Sequence, residues 1–155
     1  MVIVKTSTGE KHHIVITPVN TNDYKTITKK RYFFDWKKEN IFEVYKLHLI
    51  NSNDILGLIS LQRIPTEWRV HVRLLTVSVE NQGKHKEFAN IAGNLLAHAA
   101  KIAISEYAEL ACVSLRPKTE IAKHYMEKYH MIATGLTLSI EVPEILNLIN
   151  RFDHD

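Results

Sequence analysis

Apolar positions along the chain keep a two-residue period first and a helical one later. Residues 12–17 (His-His-Ile-Val-Ile-Thr) read as a first strand, closed by Pro18, which donates no backbone hydrogen bond. Residues 20–38 are mixed. Asn22-Asp23 suits a helix cap and Tyr24, Ile27 and Phe34 keep roughly helical spacing, but Tyr32-Phe33-Phe34-Asp35-Trp36 breaks the period, so one or two helices are expected. Residues 42–50 alternate like a strand covered on both faces. Asn51-Ser52-Asn53-Asp54 is turn chemistry, and residues 55–61 return as the second arm of a hairpin. A turn at Pro65-Thr66 leads into a long strand over residues 68–79, rich in β-branched side chains. Three strands joined by short polar turns predict an antiparallel meander.

From residue 88 to 105 the period becomes helical. Phe88, Ile91, Ala92, Leu95, Ala99, Ile102 and Ala103 make one stripe, with Asn90, Asn94, His98 and Lys101 opposite. The small residues Ala92, Gly93, Ala99 and Ala103 would let this helix lie close against a sheet. Residues 111–115 form a short apolar strand, and the strand–helix–strand order predicts that it runs parallel to residues 68–79. Arg116-Pro117 ends it. A second helix opens at Thr119 and runs to Tyr129; residues 132–142 read as a last strand; and Pro143 begins an amphipathic helix ending at Phe152. The expected fold is α/β of the α+β kind: a mixed, mostly antiparallel central sheet with helices on both faces. No repeat or linker divides it, which predicts one domain over residues 1–155.

Composition narrows the function classes. Of 155 residues 45% are hydrophobic and 24% charged, which excludes intrinsic disorder. One Cys excludes a disulfide framework and a Cys-rich zinc module. Cys112 sits in an apolar run and suits a reducing compartment. Residues 1–5 are too short and too soon charged for a signal peptide, so a cytoplasmic location is expected. No apolar run approaches the roughly 18 residues a membrane span needs. The formal charge of +3 (20 basic minus 17 acidic) accommodates an anionic small molecule without making the basic stripe of a DNA binder. The histidines have no zinc-site spacing, so no metal is expected.

Chemistry concentrates between residues 75 and 96. A buried strand gives way to a polar loop with Gly83, Lys84 and Lys86, then to a helix whose first turn is made of small residues. A helix start leaves about four amides unpaired and carries roughly half a positive charge; small residues let a phosphate reach them. Gly and Lys in such a loop also serve turning and solubility, so this spacing alone is compatible with either reading.

Several local sequences, in this order, resemble the GNAT family of N-acetyltransferases. Asn53-Asp54-Ile55-Leu56-Gly57-Leu58-Ile59 is similar to the hairpin before its cofactor strand, and Leu75-Thr76-Val77 with Glu80-Asn81-Gln82-Gly83-Lys84 to that strand's exit. Asn90-Ile91-Ala92-Gly93-Asn94-Leu95-Leu96 resembles the end of its acetyl-CoA loop, and residues 119–131 its later helix. The resemblance covers about two-thirds of the chain, from residue 42 on. It implies an acetyl-CoA-dependent N-acetyltransferase acting on an amine acceptor. The implied cofactor-binding residues are Val77, Val79, Lys84, Lys86, Ala89, Asn90, Ile91, Ala92, Gly93 and Asn94. Strand amides at Val77 and Val79 would hold the oxyanion. Glu67, His71 and Glu80 are candidate bases, and Tyr125 is the candidate acid for the thiolate, one step from Met126, where the family carries its Tyr. Aligned on Leu95-Leu96, the family pattern Gln/Arg-x-x-Gly-x-Gly/Ala meets Glu87 in place of Gln or Arg and Asn90 in place of Gly; Asn tolerates the left-handed conformation better than most residues.

Two other readings stand beside this one. A GNAT-like fold that has lost catalysis would work as a binding module, consistent with Glu87, Asn90 and Met126. Lys25, Lys29, Lys30, Arg31, Lys37 and Lys38, set among Tyr24, Tyr32, Phe33, Phe34 and Trp36, could grip a nucleic-acid backbone and stack bases, or form a solvated face over buried aromatics. The tail over residues 143–152 could cover the sheet or pair subunits, so a monomer and a homodimer are both open.

Overall fold

The protein is described by a computed structural model covering residues 1–117, 119–134 and 137–153; the side chains of residues 119–121, and with them the expected cap at Thr119, lie outside the described residues. Its strands are Val2–Lys5 (β1), Lys11–Pro18 (β2), Glu43–Leu49 (β3), Ile55–Ile64 (β4), Arg69–Val77 (β5), Phe88–Ala89 (β6), Cys112–Leu115 (β7), Ile132–Thr134 (β8) and Thr137–Glu141 (β9). Its α-helices are Lys29–Tyr32 (α1), Ile91–Tyr107 (α2), Thr119–Tyr129 (α3) and Glu144–Phe152 (α4). The strands form one sheet in the order β6-β1-β2-β3-β4-β5-β7-β9-β8, mixed and mostly antiparallel as the pattern predicts. The crossover expectation holds as well: β5 and β7 are parallel, with Arg69 opposite Cys112 and Val72 opposite Leu115. Among the described residues no helix is long and apolar enough to cross a membrane.

Four sequence expectations change. A strand precedes the first expected one: β1 pairs antiparallel with both β2 and β6. The helix expected from residue 88 begins at Ile91, because Phe88 and Ala89 are drawn into that pairing and Asn90 turns the chain at φ +78°. The strand expected over residues 68–79 ends at Val77, which puts Val79 in a 3₁₀ turn, Val79–Asn81, rather than on the strand edge. The last expected strand is a hairpin of β8 and β9, with Thr134 opposite Thr137.

Two compact units build the chain. The first comprises Met1–Ser60 with Leu74–Leu95. Its residues 20–39 resolve into short pieces, two 3₁₀ turns and α1; a capping box opens the first: Asn20 Oδ1 accepts from the Asp23 amide at 3.0 Å and Asp23 Oδ2 from the Asn20 amide at 2.8 Å. The cap is Asn20, not Asn22. The same Asp23 carboxylate pairs with Lys46 Nζ at 2.7 Å, fastening the segment to β3. Tyr32 and Trp36 are 1% exposed and pack with Ile27, Val44, Ile55 and Leu58. The Tyr32 hydroxyl donates to the Ile55 carbonyl at 2.7 Å and the Trp36 indole to the Tyr32 carbonyl at 3.1 Å. Both aromatics are thus core, unable to stack on bases, while the lysines around them face solvent.

The first unit also contains its tightest approach. A Cβ on Gly57 of β4 would lie 2.7 Å from Ile91 Cγ2, 3.0 Å from Leu95 Cδ1 and 3.3 Å from the Thr76 carbonyl. Only glycine leaves room for the first turn of α2 to rest on the strand. The second unit comprises Leu61–Arg73 with the chain from Leu96 on. There Ala99 and Ala103 of α2 are fully buried, as the small-residue stripe predicts, and so are Ala97 and Ala100, which it did not include; Ile145, Leu148 and Phe152 form the buried face of α4.

Replacing Gly57 by Val places branched methyls where Ile91 already sits. Urea unfolding should show a loss of about 1–3 kcal/mol, the usual cost of overpacking; an unchanged midpoint would mean that α2 does not rest on this strand.

Candidate active site

The residues singled out from sequence fall into two groups, one in each unit. In the first, β5 runs past Val72, its last residue paired with β7, to Val77. The Ser78 amide still donates to the Leu56 carbonyl at 2.9 Å, and the chain then turns through Val79–Asn81. Val79 is 52% exposed. The buried Asn81 ties the two ends of the next loop together: its Nδ2 donates to Ser78 Oγ at 2.8 Å and its Oδ1 accepts the Phe88 amide at 2.8 Å. The Glu87 amide donates to the Glu80 carbonyl at 3.1 Å. Residues 82–86 are therefore an excursion with pinned ends. Gly83 takes φ +71°, Lys84 is exposed and Lys86 half-buried.

Beyond the loop, β1 braces the chain. The Thr6 amide donates to the Glu87 carbonyl at 3.0 Å and the Thr6 hydroxyl to the Lys86 carbonyl at 2.5 Å; Val4 lies opposite Ala89. Glu87 is thus held by its backbone while its side chain is exposed. Asn90, at φ +78°, occupies the left-handed region that the replaced glycine would favour, and α2 begins immediately after it. The first intrahelical bond is the Asn94 amide to the Asn90 carbonyl at 3.1 Å, so the amides of Ile91, Ala92 and Gly93 have no intrahelical acceptor. Asn94, read from the sequence as a polar-face residue and a ligand contact, is instead fully buried. Its place on the fourth helical position turns it toward β1, not toward solvent.

Glu80, a candidate base, is held by Arg31. Arg31 Nε donates to Glu80 Oε2 at 3.4 Å and Nη2 to Oε1, while Nη1 and Nη2 reach the Asp54 carboxylate at 2.6 and 3.0 Å. Burial works to raise the Glu80 pKa, but hydrogen bonds from Arg31, from its own backbone amide and from Ser78, with the Arg31 charge, together outweigh it and the carboxyl sits below its ordinary value. It is ionised and clasped, not poised to take a proton.

The second unit holds the other candidates. Glu67 accepts from Arg69 Nε at 2.8 Å. Arg69 Nη1 reaches Ser114 Oγ at 2.7 Å and His71 Nδ1 at 3.3 Å, and Ser114 Oγ lies 2.8 Å from that same Nδ1. Burial, then the charges of Arg69 and Arg73, lower the His71 pKa, so the ring is neutral at pH 7. A guanidinium can only donate, which makes Nδ1 the acceptor and leaves the ring hydrogen on Nε2. His71 therefore presents a donor where a general base needs a lone pair. On α3, Tyr125 is half-buried beside Tyr129, ring centroids 5.8 Å apart, and burial raises its phenol pKa, while Met126 is 41% exposed.

No protein-family model and no curated protein sequence matches the chain. Solved structures do. A spermidine/spermine N-acetyltransferase from Vibrio cholerae superposes with a TM-score of 0.62 at 15% identity, over 87% of this chain and 98% of that one. A putative streptothricin acetyltransferase from Bacillus anthracis, in complex with acetyl coenzyme A, gives 0.62 at 13% identity, over 83% and 98%. A GNAT family acetyltransferase from Elizabethkingia anophelis with acetyl-CoA bound gives 0.61 at 14%, over 83% and 98%. This chain has the GNAT fold.

The GNAT resemblance noted from residue 42 on thus extends to the three-dimensional arrangement. Sequence reasoning missed Thr6 altogether, and missed the roles of Asn81 and Arg31, which it placed in the strand exit and the basic cluster, in shaping the first group. The signal for β1 was present: Val2-Ile3-Val4, a β-branched apolar run, precedes the turn-forming Thr6-Ser7-Thr8-Gly9.

A neutral His71 has a pH consequence. With its folded pKa below the unfolded value, the unfolded chain binds more protons once pH falls under about 6.5, so stability drops from there downward. Glu80 and Asp23, also lowered, add their loss only in the acid range near and below their ordinary carboxylate values. His71→Gln should flatten the fall in melting temperature between pH 7 and 5 and leave the fall below pH 4 intact. An unchanged slope would show that the ring is not held neutral.

Proposed function

We propose that the chain is an acetyl-CoA-dependent N-acetyltransferase that passes an acetyl group directly from the CoA thioester to an amine. The observation that carries this is the start of α2: amides of Ile91, Ala92 and Gly93 without intrahelical acceptors, set after a left-handed Asn90 and close to the end of β5. Two of the similar structures hold acetyl-CoA, which supports the choice of cofactor.

In this reading the amides of Ile91, Ala92 and Gly93 hold the pyrophosphate, and Lys84 and Lys86 add charge from the pinned loop. The Glu87 carboxylate is exposed, so solvent and salt screen its charge from the phosphates. Val77, the last residue of β5, offers the backbone amide that binds the developing oxyanion; Val79, off the strand, does not share the task. Acetyl-CoA supplies the activated thioester, and holding it beside the amine turns a bimolecular encounter into a local one. Tyr125, its phenol kept protonated at neutral pH by burial, is the acid this reading assigns. Glu67, His71 and Glu80 are engaged elsewhere, so the amine loses its proton to water. The rate should then climb with pH toward the amine's own pKa, without a histidine-like break near 6 to 7.

The binding-module reading keeps one observation in its favour: the three candidate bases are committed to Arg69, Ser114 and Arg31. It requires acetyl-CoA binding without turnover on any amine.

Acetyl-CoA at about 100 times its dissociation constant should stabilise the fold by about 2.7 kcal/mol and raise the melting temperature by several degrees. Lys84→Glu combined with Lys86→Glu should weaken binding by about tenfold through charge reversal at the phosphates. Calorimetry showing no binding at millimolar cofactor would overturn the assignment.

A further inference from the structure

The buried amide of Asn94 makes contacts that a helix-surface asparagine would not. Its Nδ2 donates to the Asn90 carbonyl at 2.7 Å and to the Val2 carbonyl at 2.9 Å, while its Oδ1 is buried without a hydrogen-bond partner. A fully buried side chain with an unsatisfied oxygen costs stability that a leucine there would not. The two carbonyls it grips are the informative part. One belongs to the residue in the left-handed conformation, the other to the strand that also pairs with Phe88 and Ala89.

We propose that Asn94 is a positioning residue for the cofactor: it clamps the left-handed turn at Asn90 against β1, and so holds the Ile91, Ala92 and Gly93 amides in place for the pyrophosphate. The inference rests on the acetyl-CoA reading and deepens it. The left-handed region disfavours residues other than glycine, asparagine less than most. Where a glycine adopts that turn at no steric cost, this chain has an asparagine, whose turn gains from being held. Asn94 holds it from one turn along the helix, and β1 supplies the fixed end of the clamp.

A double-mutant cycle on acetyl-CoA affinity tests this. Asn94→Leu, similar in volume and without the donors, should raise the dissociation constant about tenfold in the unsubstituted chain, the factor that about 1.4 kcal/mol represents. In the Asn90→Gly background, where the turn no longer needs holding, the same substitution should cost less than about threefold. A purely structural role moves the melting temperature equally in both backgrounds and leaves the coupling at zero. Equal affinity losses in the two backgrounds, or no loss in either, overturn the proposal while leaving the acetyl-CoA reading intact. If the unsubstituted chain does not bind acetyl-CoA, that reading fails and takes this one with it. Should Asn94→Leu not fold, Asn94→Ser removes the amide with a smaller change in shape and completes the same cycle.

Discussion

The contact between the first turn of α2 and Gly57 governs the first unit. Ile91 and Leu95 reach the backbone of β4 at distances no side chain at residue 57 would permit. That approach places the start of α2 beside Thr76, near the end of β5. The hydrophobic burial of Ile91 and Leu95 thus stabilises the fold and aims the positive end of the helix at one point.

Around that contact, the chain reaches a family geometry by unfamiliar local means. A loop rich in glycine can take left-handed conformations without help. Here Asn90 takes one in a setting of long-range hydrogen bonds: Asn81 to Phe88, Thr6 to Lys86 and Glu87, Asn94 to Val2. Each of these bonds is modest, but together they leave the chain between Gln82 and Asn90 few ways to move.

Much of the fold was legible because it follows from period and punctuation. The meander, the parallel pair β5 and β7 and the small face of α2 all show in alternating or helical spacing bounded by turn residues. Where the reading went astray, a tertiary contact overrode a local pattern. Phe88 fits the helical stripe of α2, but β1 captures it as strand, and no local rule foresees a partner more than eighty residues away. Asn94 looks solvent-facing on a helical wheel because one of its two carbonyl acceptors, Val2, lies on β1, far away in sequence. The candidate site was legible in part for the same reason. Lys84, Lys86 and the helix start announce themselves by composition, whereas the commitment of Glu80 to Arg31 depends on α1 packing against the turn after β5, and that of His71 to Arg69 and Ser114 on the pairing of β5 with β7.

The pairing of β1 with residues 86–89 has a kinetic side. The Thr6 hydroxyl meets a carbonyl 80 positions further along the chain, and Asn94 meets one 92 positions back. Closing loops of that length is slow compared with forming the β3–β4–β5 meander or the first turns of a helix. On loop-closure grounds the contacts of Thr6 and Val2 with residues 86–94 are expected to form later than the meander and the local β1–β2 pairing.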